Sequence, residues 1–195
     1  MASSLERTSV NLPNALTLGR LLAVPVFALL LVNDDGSAKS RSVLAAIYVG
    51  ACLTDLVDGH LARSRGEVTD FGIQADPIAD KALVGAALIG LSALGDLPWW
   101  ATIVILGREV AVTGLRMVVR RHGLIPASRG GKLKSLSQNT AVTMYLLPLA
   151  GLLSDLRLPV LILAVAATVL SGVDYAAQAV RMRRAGGVDR ELISR

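Results

Sequence analysis

Six long apolar stretches are the feature that most constrains how this chain can fold. Each approaches the roughly 20 residues that a helix needs to cross the hydrocarbon core of a bilayer. Backbone N–H and C=O groups in that core must be hydrogen-bonded within the protein, which favours helices. The pattern predicts an all-α, polytopic membrane protein with six transmembrane helices. The stretches are Ala15–Val32, Ser42–Asp58, Ile78–Gly95, Pro98–Val118, Ser135–Leu153 and Leu158–Val180.

The composition agrees with a membrane protein. Hydrophobic residues make up 53% of the 195 residues, above the roughly 45–50% typical of soluble domains. No internal repeat or low-complexity linker divides the chain, so we expect one membrane-embedded domain over residues 1–195. No short apolar core precedes the first stretch, and no cleaved signal is expected. The net charge is +5, but the Lys and Arg residues lie between apolar blocks and only 4% of the residues are aromatic. We therefore expect no nucleic-acid partner.

Lys and Arg residues are distributed unevenly between the two sides that six spans would define. An even number of spans places both termini on one side, which would hold fourteen of these cations. The other side would hold three, Lys39, Arg41 and Arg157. Because cytoplasmic loops are enriched in Lys and Arg, we expect a plasma-membrane protein with both termini and the second and fourth loops in the cytoplasm.

A cluster of carboxylates lies at this cytoplasmic side, where the second stretch ends and the third begins. At 100° per residue, one helix face carries the first group and one face of the next helix carries the second. The first group is Asp55, Asp58, Gly59 and Ala62, and the second is Gly72, Asp76 and Asp80. If Asp76 caps the third helix, Pro77 fits its first turn, where a missing amide is tolerated.

Four carboxylates at neighbouring helix ends would repel one another unless a cation lay among them. Carboxylate oxygens suit Mg²⁺, Mn²⁺ or Ca²⁺, and a site with no cysteine and only His60 nearby is unlike a zinc site. Gly59 and Ala62 leave room for a bulky ligand on the carboxylate face, and Arg63 adds a planar donor suited to phosphate. We therefore expect a divalent-metal site that accepts a phosphorylated ligand.

Two other interpretations of the carboxylates are open. They could be ordinary loop charges solvated at the interface, or the buried carboxylates of a metal- or proton-coupled transporter. Four carboxylates at helical spacings with Arg63 between them argue against the first interpretation. The second is disfavoured because transporter carboxylates usually lie near the middle of the membrane rather than at one helix end.

The spacing of these residues resembles the defining motif of the CDP-alcohol phosphatidyltransferases. The pattern is Asp55-x2-Asp58-Gly59-x2-Ala62-Arg63-x8-Gly72-x3-Asp76-x3-Asp80, with every position present. The resemblance implies six-helix membrane enzymes, usually homodimers, that use two divalent metals, Mg²⁺ or Mn²⁺, to transfer a phosphatidyl group from CDP-diacylglycerol to an alcohol. It also implies that CMP is released.

The resemblance further implies roles for single residues. Asp55 and Asp76 would bridge both metals, Asp58 would complete the first site and Asp80 the second. Asp80 would also act as the general base. The positions matched to contacts with the cytidine diphosphate group are Gly59, Arg63 and Thr69, which Asn14 and Thr17 could join. Capping of the first helix is the alternative role for Asn14.

Segments outside the motif resemble the branch of this family whose acceptor is sn-glycerol 3-phosphate, including its actinobacterial members. They include Gly107-Arg108-Glu109-Val110, Gly114-Leu115-Arg116 and Gly131-Lys132-Leu133-Lys134. The chain departs from that branch at His60, Ser135 and Gln74-Ala75, none of which is a carboxylate. Phosphatidylglycerol or inositol phosphate is the alternative acceptor.

A phosphorylated acceptor needs a second cationic pocket. The candidates are Arg108, Arg116, Lys132 and Lys134. Arg108 lies well inside an apolar stretch, where an idle charge is costly, so we expect it, like Arg20, to face a polar interior. The two lysines are expected in the fourth loop, where topology signalling and headgroup contact are the alternative roles.

Overall fold

The computed structural model describes the backbone of residues 12–65, 70–119 and 129–193, and the side chains of residues 19, 21–54, 79, 81–117 and 131–182. Every regular element in these ranges is a helix, as predicted. The helices are α1 (Leu12–Val32), α2 (Ala38–Arg65), α3 (Asp70–Ala93), α4 (Trp99–Val119), α5 (Arg129–Leu146), the short α6 (Leu152–Asp155) and α7 (Arg157–Ile193).

Six membrane spans are predicted, and one stretch within the described ranges, Leu152–Met182, is both long and apolar enough to cross a bilayer. Leu21–Val32 and Lys81–Ala93 are apolar but shorter. The helix α4 carries Arg108, Glu109 and Arg116, which lower its mean hydropathy. The six-helix topology therefore stays a prediction.

The described residues form two compact units, Met1–Gly90 with Leu146–Pro148, and Leu91–Tyr145 with Leu149–Arg195. In the first unit, α1 packs on α2. Phe27 and Tyr48 are fully buried there, with ring centroids 5.9 Å apart. In the second unit, α4 packs on α7, and a buried hydrogen bond of 2.7 Å joins Ser92 Oγ to Thr102 Oγ1.

A capped turn joins α1 to α2. Ser37 precedes the first residue of α2, and its Oγ accepts a hydrogen bond from the Ser40 amide (3.1 Å), which otherwise lacks a helical partner. Asp35 Oδ1 accepts from the Ser37 amide (2.9 Å), which lowers the pKa of the Asp35 carboxyl below its ordinary value. The buried Asp34 carboxylate pairs with Arg41 of α2. The turn is therefore held by its own polar groups.

Two predicted spans end earlier than expected. The third helix ends at Ala93 because Gly95 adopts a left-handed conformation (φ 81°) and the Asp96 amide bonds back to the Leu91 carbonyl. The fifth ends at Leu146 rather than Leu153, because Pro148 lacks an amide proton and disfavours helical geometry at the residue before it.

Close packing in the first unit depends on Gly90 of α3. A Cβ at this position would overlap Leu31 Cδ2 and lie 3.0 Å from Leu31 Cγ. Leu31 is fully buried, so its side chain has little space in which to move. The absence of a side chain at Gly90 lets α1 and α3 approach each other.

We predict that Gly90→Ala lowers the free energy of unfolding by about 1–3 kcal/mol, the usual cost of inserting a methyl group into a packed core. Unfolding of the detergent-solubilised protein measures the change. Gly50→Ala is the matched control because Gly50 lies in α2 with open space around it. Equal stability of the two variants would contradict the contact between α1 and α3.

Candidate functional site

The four predicted metal ligands lie on two helices of the first unit. Positions 55 and 58 belong to the C-terminal half of α2, and positions 76 and 80 belong to the N-terminal half of α3. Their side chains lie outside the described ones. The described side chains contain no group of three or more His, Cys, Asp or Glu residues suited to a metal. The ligand set itself therefore stays a prediction.

The helix bounds agree with the expected register of the motif. Helix α2 continues to Arg65, so Asp55, Asp58, Gly59 and Ala62 share one helix, and positions 55, 58, 59 and 62 fall on one side of its axis. Gly72, Asp76 and Asp80 likewise share α3, at spacings of four residues. Both halves of the motif are thus carried on continuous helices.

The suggested capping role of Asp76 is wrong. Helix α3 already includes Asp70, which places Asp76 and Pro77 inside the helix rather than at its start. A proline at this interior position lacks the amide that would bond to the carbonyl four residues earlier, and its ring crowds that carbonyl. The apolar stretch from Ile78 marked where hydrophobic residues begin, whereas the helix starts in the preceding polar residues.

Four of the five residues predicted to contact the cytidine diphosphate group lie on two helices, α1 and α2. Asn14 and Thr17 lie in the first turns of α1, and Gly59 and Arg63 lie in α2. Helix α1 includes Leu12, so Asn14 does not cap it. Thr69 and the side chains of the other four lie outside the described part of the chain.

Arg108, the first candidate for the acceptor phosphate, lies in α4 and is bound by α7 of the same unit. Its Nε donates to the Thr168 carbonyl oxygen (3.1 Å) and its Nη2 donates to Ser171 Oγ (3.0 Å). Its Nη1 donates to Glu109 Oε1 (2.9 Å). The Arg108 side chain is 15% exposed. As expected for a charge inside an apolar stretch, it has polar partners.

The Arg108 site on α7 is built from residues three and four positions apart, which share a helix face. Ser171 Oγ also donates to the Thr168 carbonyl (3.0 Å). A Cβ on Gly172 would lie 3.1 Å from Arg108 Cγ and 3.2 Å from Arg108 Nε. The small residue at 172 therefore leaves the space that the arginine stem occupies.

Glu109 joins Arg108 to Lys134. Pairing of Glu109 with a nearby cation could be expected from the sequence, but its partner on α5 could not. The same Glu109 oxygen that accepts from Arg108 Nη1 also pairs with Lys134 Nζ of α5. All three side chains are largely buried, with exposures of 15% for Arg108, 16% for Glu109 and 11% for Lys134. Their formal charges sum to +1. This trio is called the Arg108–Glu109–Lys134 cluster below.

A second contact attaches α5 to α7 next to the cluster. Gln138 lies one helical turn after Lys134, and its Nε2 donates to Thr168 Oγ1 (2.8 Å). The Thr168 hydroxyl then donates to the Ala164 carbonyl (2.6 Å). Gln138 and Thr168 are buried. Lys134 and Gln138 thus occupy the buried face of α5. Their spacing of four residues could have indicated that they share one face of a helix.

The two lysine candidates occupy a helix, not the fourth loop as predicted. Helix α5 includes Arg129, so Lys132 and Lys134 lie in its first two turns. They are two residues apart, about 200° around the axis, and therefore lie on different faces. Lys134 is buried and Lys132 is exposed. The prediction placed the start of this helix too late because positions 129–134 are mostly glycines and cations, and the prediction was based on apolar residues.

Arg116 lies in the last turn of α4, where a cation is favourable to the helix dipole. Its guanidinium carbon is 5.6 Å from the centroid of the Tyr175 ring of α7. A ring contact of this kind covers one face of the guanidinium and does not use the N–H groups, which lie in its plane. Arg116 and Arg108 are thus both positioned against α7.

The second unit therefore holds a partly buried cationic site with donors from α4 and α5. Arginine and lysine N–H groups are the usual ligands of phosphate oxygens. Burial strengthens such interactions because water screens them less. These donors are of the kind that the oxygens of a phosphorylated small molecule accept from.

Comparison with known proteins gives a consistent result. A family model described as CDP-alcohol phosphatidyltransferase matches residues 10–170. Proteins from two strains of Mycobacterium tuberculosis, each named probable phosphatidylglycerophosphate synthase, are 54% identical over 172 residues, which is 88% of this chain and 82% of theirs.

Relatives from other bacteria carry a name that states a reaction. A Bacillus subtilis protein named CDP-diacylglycerol–glycerol-3-phosphate 3-phosphatidyltransferase is 40% identical over 148 residues, covering 70% of this chain and 77% of its own. A Rickettsia prowazekii protein of the same name is 38% identical over 146 residues, covering 74% of this chain and 80% of its own.

Proposed function

This chain belongs to the CDP-alcohol phosphatidyltransferase family, and we propose that it transfers the phosphatidyl group of CDP-diacylglycerol to sn-glycerol 3-phosphate. The products are phosphatidylglycerol phosphate and CMP. The observation that carries the proposal is the identity of 54% over 88% of the chain to proteins named for this product. The relatives named for both substrates support it.

The reaction is an exchange of one P–O bond for another. The acceptor hydroxyl oxygen bonds to the phosphorus that carries diacylglycerol. The bond from that phosphorus to the bridging oxygen breaks, and CMP leaves with the bridging oxygen. The hydroxyl proton passes to a base, for which we propose the Asp80 carboxylate. That carboxylate must come within about 2.6–3.2 Å of the bound hydroxyl.

For the cofactor, we propose two divalent cations, Mg²⁺ or Mn²⁺, held by Asp55, Asp58, Asp76 and Asp80. The donor set fits such ions, because carboxylate oxygens are the ligands that hard divalent cations prefer. When bound, the cations would neutralise phosphate oxygens and make the acceptor hydroxyl easier to ionise. The placement of all four positions on α2 and α3 supports one shared site.

For the CDP-lipid, we propose contacts from Gly59, Arg63 and Thr69, joined by Asn14 and Thr17. Gly59 lets the ligand approach the backbone of α2 closely, and Arg63 offers paired N–H donors to the diphosphate. The acyl chains would remain in the lipid. We further propose that the protein is a multi-pass protein of the plasma membrane, with its site and both termini in the cytoplasm, and that it forms a homodimer.

For the acceptor phosphate, we propose Arg108 and Lys134 as the direct ligands, with Arg116 and Lys132 contributing at longer range. The burial of Arg108 and Lys134 and their shared ion-pair partner support this division. The N–H groups of both cations lie close together in the second unit, because both contact Glu109 Oε1. Lys132 is exposed, so water and salt weaken its attraction for phosphate.

We predict that Lys134→Met raises the KM for sn-glycerol 3-phosphate about tenfold or more, because a charge-assisted hydrogen bond contributes about 1.5–3 kcal/mol. The KM for CDP-diacylglycerol should change little. Lys132→Met is the matched control, two positions away on the exposed face, and should change either KM less than about threefold. Equal effects of the two variants would argue against direct contact by Lys134.

Release of CMP tests the proposed reaction class. The purified protein in mixed micelles with CDP-diacylglycerol should release CMP only when sn-glycerol 3-phosphate and a divalent cation are both present. A transporter would release none under any of these conditions. Release that does not depend on the acceptor would indicate hydrolysis instead of transfer.

A further inference from the structure

We propose that Glu109 is a positioning residue that holds Arg108 and Lys134 together as one binding site for the acceptor phosphate. The proposal rests on the proposed function, because it concerns the site that would bind sn-glycerol 3-phosphate. Its basis is a single oxygen, Glu109 Oε1, which accepts from Arg108 Nη1 and pairs with Lys134 Nζ.

The two cations differ in how firmly they are held. Arg108 is bonded to the Thr168 carbonyl and to Ser171 Oγ of α7, in addition to Glu109. Gly172 leaves space for its stem. Lys134 has a long flexible side chain, and in the described part of the chain its ion-pair partner is Glu109. The position of Lys134 Nζ therefore depends on the Glu109 carboxylate.

Electrostatics requires an anion between these cations. The side chains of Arg108 and Lys134 are 15% and 11% exposed, so water screens their repulsion only weakly. With the carboxylate between them, they can remain close before substrate arrives. Without it, the flexible lysine is expected to turn away from the fixed arginine.

The cluster keeps donors for a ligand even with Glu109 in place. Arginine has five N–H groups and lysine three. Arg108 donates three to the described acceptors and Lys134 donates one to Glu109. Two N–H groups on each cation remain for phosphate oxygens, and the cluster's charge of +1 favours an anion.

The opposite role for Glu109 makes a different prediction. A carboxylate can stand in for the substrate phosphate and be displaced when substrate binds. In that case removing its charge would strengthen phosphate binding. The two bonds that fix Arg108 to α7 without Glu109 favour positioning, because a stand-in would have to leave both cations when phosphate arrived.

Kinetics of Glu109→Gln test the proposal. Glutamine keeps the size and an acceptor oxygen but loses the charge that holds Lys134. We expect the KM for sn-glycerol 3-phosphate to rise about tenfold to a hundredfold. The KM for CDP-diacylglycerol and kcat should change less than about threefold, and the inhibition constant of inorganic phosphate should rise in parallel. Glu109→Asp should recover part of the affinity.

A double-mutant cycle identifies the route of the effect. If Glu109 acts through Lys134, then Glu109→Gln should add little to the KM of a Lys134→Met protein. Asp174→Asn is the control, because Asp174 is an exposed carboxylate of α7 bonded to Gln178. That variant should behave as wild type.

Several results would overturn the proposal. A lower KM or stronger phosphate inhibition in Glu109→Gln would show that Glu109 competes with substrate. An unchanged KM for sn-glycerol 3-phosphate in Glu109→Gln, or an equal loss of affinity for both substrates, would show that Glu109 does not position the phosphate site. If Glu109→Gln does not fold, Glu109→Asp with a wild-type KM and inhibition constant would overturn it as well. Absence of wild-type transfer to sn-glycerol 3-phosphate would instead refute the proposed function.

Discussion

Asp80→Asn should reduce kcat for CMP release by about 10²–10⁴-fold, the usual contribution of a general base. Asparagine has nearly the same shape as aspartate but cannot take the proton of the acceptor hydroxyl. Binding of CDP-diacylglycerol should persist, because Asp55, Asp58 and Asp76 remain. The rate of CMP release and the KM for the CDP-lipid, measured on the same preparation, separate these effects.

Raising the Mg²⁺ concentration distinguishes a base from a simple metal ligand. If Asp80 only helped to hold a cation, high Mg²⁺ would restore most of the activity of Asp80→Asn. We expect no such recovery. Asp155→Asn is the control, because Asp155 is an exposed carboxylate of the short helix α6, and it should retain wild-type turnover. Wild-type turnover in Asp80→Asn would remove Asp80 from the chemistry.

Removal of divalent cations should abolish CMP release altogether. The four motif carboxylates would then repel one another without a counter-ion, and the diphosphate would lose its principal neutralising charges. Dialysis against EDTA followed by titration of Mg²⁺ or Mn²⁺ should restore turnover. In Asp55→Asn, half-restoration should require about tenfold more metal or more, because a ligand charge has been removed.

A stability measurement provides the control for chelation. The second unit contains no predicted metal ligand, so Lys134 should remain paired with Glu109 and the EDTA-treated protein should still unfold cooperatively. Full turnover at a residual metal content well below the protein concentration would contradict the metal site. Loss of turnover that added metal fails to reverse, in a protein that is still folded, would also contradict it.

Much of the helical architecture could be predicted because long apolar stretches indicate helices. The predicted Ala15–Val32 and Pro98–Val118 lie within three residues of the bounds of α1 and α4. The prediction failed where helices run into polar sequence. Helices α2 and α7 continue to Arg65 and Ile193, because a helix closes its backbone hydrogen bonds internally whatever its side chains are.

The candidate site could be predicted only where the information is local in sequence. Spacings of three and four residues identified the carboxylate positions on α2 and α3, and the cost of a charge in lipid identified Arg108. The pairing of Glu109 with Lys134, 25 residues apart, depends on how α4 and α5 pack. No periodicity within one helix contains that information.

The acceptor is tested most directly by competition in one reaction. Vesicles containing the protein, CDP-diacylglycerol and phosphatidylglycerol would be given Mg²⁺ with equal concentrations of sn-glycerol 3-phosphate and inositol phosphate, and the lipid products would be identified by mass spectrometry. We predict phosphatidylglycerol phosphate as the main product, formed in equal amount to CMP. Cardiolipin or phosphatidylinositol phosphate as the main product would contradict the proposed acceptor.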